Sequence, residues 1–192
     1  KGNDGVASGR IYYFNDSVLE LPGQKQLGLQ PTGLAERSVQ KVIPGNSFAL
    51  VDSYLSEEFD FTIIPGGVQR FFLWASMETI NDHLEIYVEL ELTDNAGNVL
   101  ASAGTSQPVN IEWDNSNTTP TEIETDITFT STNVQLGHRM KANVYVKNLQ
   151  NTVRSSRNTL LAVVRIINGL CGSRARTACV VDALWSFYQS FF

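Results

Sequence analysis

The sequence predicts an all-β chain, an antiparallel β-sandwich followed by a hydrophobic C-terminal extension. Apolar and polar residues alternate with period two over His83–Leu92, Thr121–Thr130 and Arg139–Lys147. Clusters of Gly, Pro, Asn and Asp separate the apolar runs, and helical periodicity is almost absent before residue 150. Alternation of this kind is what a sheet with one wet face requires.

The elements follow in order. Arg10–Phe14 reads as a first strand after a flexible arm, residues 1–9. Residues 15–45 contain Pro22, Pro31 and Pro44 with four glycines and read as a long irregular passage, with one helical turn expected near Leu34–Val42. A passage that long is normally functional or covers a sheet edge. Strands are expected at Asn46–Asp52, Phe59–Ile64 and Val68–Met77, the last two separated by Pro65-Gly66-Gly67. In His83–Leu92 the residues Leu84, Ile86, Val88, Leu90 and Leu92 point inward, with Glu85, Tyr87, Glu89 and Glu91 outward. Asp94-Asn95-Ala96-Gly97 is a hairpin turn leading to Asn98–Ala103, and Val109–Trp113 follows. Thr121–Thr130 places Ile123, Thr125, Ile127 and Phe129 inward and Glu122, Glu124 and Asp126 outward. Arg139–Lys147 opposes Met140, Ala142, Val144 and Val146 to Arg139, Lys141, Asn143, Tyr145 and Lys147. Some nine strands in one body, residues 10–150, point to a sandwich of jelly-roll type.

Composition narrows the function. The 192 residues are 42% hydrophobic, enough for a sizeable core in one domain. Fourteen basic residues against twenty acidic ones give −6, which argues against a nucleic-acid binder. Two histidines and two cysteines leave little room for a metal site, and none is expected, nor any cofactor. No nucleophile, phosphate-loop or zinc motif is present. The glutamate ladder Glu85, Glu89, Glu91 has the spacing a glycosidase pair would need, but a second acidic ladder and a basic one explain it as solvated faces that neutralise each other. The chain is read as non-enzymatic. His83 and His138 read as turn or surface residues, and Asp94, Asn95, Asn98 with the run 114–117 as turn residues before calcium ligands. Tyr87, Tyr145 and one of Trp74, Trp113 and Trp185 could form a sugar-stacking platform, although aromatics on strands more often pack.

Two segments, Gly9-Arg10-Ile11-Tyr12-Tyr13-Phe14 and Leu136-Gly137-His138-Arg139-Met140-Lys141-Ala142-Asn143-Val144, resemble secreted bacterial and archaeal jelly-roll surface modules. With the polar Asn/Pro/Gly-rich passage that follows Phe14, the resemblance covers about a sixth of the chain and implies fold and a secreted or cell-surface location, not an activity.

Cys171 and Cys179 are read as a disulfide, and Asn15 and Asn117 head possible glycosylation sequons; both fit a secreted chain. The chain starts at Lys1 and is read as following a removed leader or a trim. No apolar run is long enough to span a bilayer.

Residues 151–192 depart from the body. They hold five arginines and one acid, whereas residues 1–150 hold nine basic and nineteen acidic groups. Leu160, Val163, Val164, Ile166, Val181, Leu184, Trp185, Tyr188, Phe191 and Phe192 make this extension strongly apolar, a last strand plus an apolar helix or docking segment. Such residues need a cover, in their own subunit or in a neighbour. The function expected is therefore a subunit of an extracellular filament or surface assembly, a homo-oligomer or polymer joined through its termini by strand addition or hydrophobic docking. A carbohydrate- or partner-binding module is the alternative, and a virion coat or decoration protein a further one.

Overall fold

The computed structural model describes residues 12–30, 37–39, 43–75, 83–111, 121–149 and 166–168. The chain is all-β, with no helix among the described residues. Its strands are β1 (Tyr13–Leu21), β2 (Gln24–Gly28), β3 (Arg37–Val39), β4 (Ser47–Ser56), β5 (Ile63–Ile64), β6 (Gly67–Ala75), β7 (Leu84–Thr93), β8 (Val99–Thr105), β9 (Val109–Asn110), β10 (Thr121–Phe129), β11 (Thr132–Asn133), β12 (Arg139–Asn148) and β13 (Ile166–Asn168).

One curled seven-stranded sheet runs β1-β2-β4-β12-β7-β8, with β9 also on β7. A ribbon of β6 and β10 lies against it, paired from Thr121↔Ala75 to Phe129↔Gly67 without a register shift. The core lies between the two. Leu84, Ile86, Val88 and Leu90 of β7 and Met140, Ala142, Val144 and Val146 of β12 meet Phe71 and Leu73 of β6 and Ile123, Ile127 and Phe129 of β10 in one buried cluster. Thr125, inward on β10, is 5% exposed, and its hydroxyl donates to the Gln107 carbonyl at 2.9 Å. A buried hydroxyl needs such a partner.

Four expectations change. Residues 15–45 are not irregular throughout, because β2 forms a hairpin with β1. The strand hides in Gln24-Lys25-Gln26, where two of the three polar side chains find partners far along the chain: Lys25 is paired with Asp52, and Gln26 accepts from Asn15. Residues 37–39, inside the expected helical turn, are β3, paired antiparallel with β13. The sheet is not wholly antiparallel, since β2 and β4 run parallel through Lys25↔Tyr54 to Leu27↔Ser56. The long connection 29–46 supplies the crossover that parallel pairing needs. Arg139, expected outward, is 8% exposed and held by Glu20 and Glu58.

Both end strands of the large sheet are irregular. β1 shifts register between Asn15 and Leu19 and again before Leu21, and β8 skips a residue twice against β7. Bulges twist an edge away from regular pairing with another chain. Within β8, Gly104 has φ +143°, and a Cβ there would lie 2.6 Å from Ile127 Cγ2. Only glycine lets β8 approach the ribbon this closely.

Candidate functional site

The outer face of the large sheet carries an aromatic strip across three neighbouring strands. Tyr145 on β12 lies directly opposite Tyr87 on β7 and opposite Leu50 on β4. The tyrosine rings stack with centroids 5.2 Å apart and planes 11° apart. Phe48 meets Tyr145 edge-on at 6.2 Å. Phe48 is 67% exposed and Leu50 42%, so the strip is open to solvent.

The strip arises from one irregularity in β4. Register shifts between Val144↔Asp52 and Tyr145↔Leu50, leaving Val51 as the extra residue. Val51 stays in the core, while Phe48 and Leu50 turn outward. The segment Phe48-Ala49-Leu50-Val51 is apolar in both phases, so alternation could not say which residues face water. Phe48 and Leu50 are the residues of this site that sequence reasoning missed.

Polar groups border the strip. Lys147 stands opposite Glu85, and Asn143 opposite Glu89. Glu91 accepts from Lys141 Nζ and from Asn143 Nδ2, each at 2.9 Å, and Ser53 donates to Asn143 Oδ1 at 2.8 Å. Burial pushes the phenols of Tyr87 and Tyr145 above the usual tyrosine range, and the nearby Glu89 carboxylate adds to the rise. Tyr145 also hydrogen-bonds Glu89, which favours its neutral form.

The acidic ladders are separated. Glu85 and Glu91 face Lys147 and Lys141 of β12 and Glu89 faces Asn143, whereas Glu122, Glu124 and Asp126 lie exposed on the ribbon, where Arg70 approaches Glu124 at 3.4 Å. Glu91 holds one ammonium and one amide donor on a single oxygen.

The histidines sit at opposite ends of the β7–β12 ladder. His83 precedes β7, and its carbonyl accepts from the Leu149 amide. His138 lies before β12, with Nδ1 accepting from Gln135 N at 3.3 Å. No group of three potential metal ligands occurs among the described residues. A cleft beside β8, lined by Ile64, Leu92, Ala101, Ala103 and Phe129 among others, has a volume of about 120 Å³. Small-molecule sites are usually several times larger.

Asp94 serves its own turn. Its Oδ1 accepts from the amides of Ala96 at 2.9 Å and Asn98 at 2.8 Å, and Oδ2 from Asn98 Nδ2 at 2.9 Å. These bonds, led by the Asn98 side chain, hold its carboxyl below the ordinary 3.8. A depressed carboxyl stabilises the fold above its unfolded value and loses that contribution as pH falls through the lower folded value. An NMR titration is expected to place Asp94 below 3.8, and Asp94→Ala to shift the Asn98 amide strongly at neutral pH; an ordinary titration would contradict this role.

Asn15 is 5% exposed, and its Nδ2 donates to Gln26 Oε1 at 2.9 Å and to the Gln30 carbonyl at 3.0 Å. Both hydrogens of the Asn15 amide nitrogen are thus engaged within the chain. Trp74 is 7% exposed on β6 and is not part of the strip. Ile166 lies in β13, whose backbone pairs with β3 of the same chain. Cys171, Cys179, Asn117, Trp113, the run 114–117, and Leu160, Val163, Val164, Val181, Leu184, Trp185, Tyr188, Phe191 and Phe192 lie outside the described residues.

No helix among the described residues is long and apolar enough to cross a membrane. No protein-family model matches the chain, and no curated protein matches it in sequence. Among solved structures, a CocE/NonD family hydrolase from Staphylococcus aureus is similar at 12% identity and a TM-score of 0.42. The match covers 71% of this chain and 35% of the hydrolase chain.

Proposed function

We propose that this chain is a non-enzymatic structural module, a subunit of a secreted or cell-surface assembly built on a jelly-roll sandwich. The observation that carries the reading is the strip Phe48, Leu50, Tyr145 and Tyr87 on the outer face of the large sheet. Isolated exposed apolar residues are ordinary, but a contiguous aromatic strip bordered by charges is the form of an association surface. On that border Glu89, which faces Asn143 and not a lysine, offers a carboxylate to the arginines of residues 151–192 of a second copy. The double bulges on β1 and β8 favour hydrophobic docking over strand addition at the large sheet. A disulfide between Cys171 and Cys179 belongs to the same reading.

Burying a large apolar side chain contributes about 1.5–3 kcal/mol. Removing both Phe48 and Leu50 from a buried contact therefore weakens association by roughly a hundredfold or more. The full chain carrying Phe48→Ser and Leu50→Ser is expected to lose its larger species in light scattering while keeping its urea midpoint. Unchanged particle size would remove the strip from the contact.

A second reading rests on the Glu89 carboxylate and the phenol hydroxyls beside the stacked rings: hydroxyl-bonding groups next to aromatic rings also suit a glycan. Saturable polysaccharide binding by monomeric chain, lost in Tyr87→Ala, would favour it over assembly.

A further inference from the structure

We propose that Tyr87 and Tyr145 form an oxidative cross-linking site, at which the two rings join by a carbon–carbon bond under a haem-peroxidase-class oxidant with hydrogen peroxide. The inference goes beyond the assembly reading and does not depend on it. It rests on the rigid presentation of two half-buried phenols on the central strands of the sheet. The residues are directly opposed in the β7–β12 ladder, with ring centroids 5.2 Å apart and planes nearly parallel.

Holding the rings in contact makes their coupling effectively unimolecular, which favours it over reaction with a ring from another molecule. The Glu89 carboxylate, bonded to Tyr145, is placed to take the hydroxyl proton as the electron leaves. Each phenol loses one electron and one proton. The two phenoxyl radicals couple at ring carbons next to the oxygens, and each of those carbons then releases its hydrogen as a proton to restore the aromatic ring and the phenol. The chain loses two hydrogen atoms, and one peroxide is reduced to two waters.

The product ties β7 to β12 across the long span between residues 87 and 145. A cross-link over such a span restricts the unfolded chain, so the thermal midpoint of the modified protein rises by several degrees.

The test treats dilute full-length protein with a haem peroxidase and limiting peroxide. The expected product runs as a monomer, is lighter by two hydrogens, shows dityrosine emission, and yields a Tyr87–Tyr145 linked peptide. Tyr87→Phe and Tyr145→Phe, which keep the rings, are each expected to abolish that emission, and Glu89→Gln to slow its appearance severalfold. Emission that survives in both phenylalanine variants, emission confined to covalent dimers, or emission that arises only after unfolding in urea would each overturn the proposal.

Discussion

Gly104→Ala is expected to destabilise the chain by about 2–6 kcal/mol, a large part of the roughly 5–15 kcal/mol that holds a domain together. Two costs combine. At φ +143° an L side chain is strained by about 1–3 kcal/mol. The new methyl also meets Ile127 Cγ2 at 2.6 Å, and overpacking of a buried contact costs about 1–3 kcal/mol more. Ile127 is 3% exposed in the core, so it has little room to give. Gly23→Ala separates the two contributions. Gly23 also has a positive φ, +78°, but nothing lies within 4 Å of the place its methyl would take, so only the conformational cost applies. Urea midpoints should fall in the order wild type, Gly23→Ala, Gly104→Ala; equal losses at both glycines would show that β8 does not press on the ribbon.

Arg139→Met is expected to cost about 3 kcal/mol, because it leaves Glu20 without the cation it faces. The guanidinium side chain is 9% exposed. Its Nη1 donates to Glu20 Oε1 at 2.6 Å and to the Ser56 carbonyl at 2.9 Å, and Nη2 donates to Glu58 Oε1 at 3.2 Å. The arms are unequal. The Glu20 side chain is 17% exposed, whereas that of Glu58 is 52% exposed and screened by water. Glu58→Gln should therefore change stability by no more than about 0.5 kcal/mol. Pairing Arg139→Met with Glu20→Leu should recover part of the loss, since a buried ion pair is often replaceable by apolar residues. The contact joins β1, the end of β4 and the start of β12. A urea midpoint for Arg139→Met within error of wild type would show that this corner is not held electrostatically.

These two residues also mark where sequence reading stops. Strands β7 and β10 were legible because each has one face in the core and one more open, and burial follows the alternation from Leu84 to Leu92 and from Ile123 to Phe129. β2 was not, because Lys25 and Gln26 are satisfied by Asp52 and Asn15, distant partners that no local pattern announces. Arg139 sits in the expected phase of its strand, but nothing in its neighbours shows that Glu20 and Glu58 will close over it. The tyrosine pair was half visible: Tyr87 and Tyr145 were recognisable as outward residues, while their opposition depends on a register that sequence does not fix. Phe48 and Leu50 depend on one extra residue, Val51, whose placement is decided by the partner strand.

The assembly reading is tested most directly by the particle size of native full-length protein at neutral pH, by light scattering over a concentration series with negative-stain microscopy. The account predicts regular particles larger than the 21.2 kDa chain, growing with concentration. A uniform 21.2 kDa monomer at every concentration would contradict it and leave the aromatic strip to a different partner.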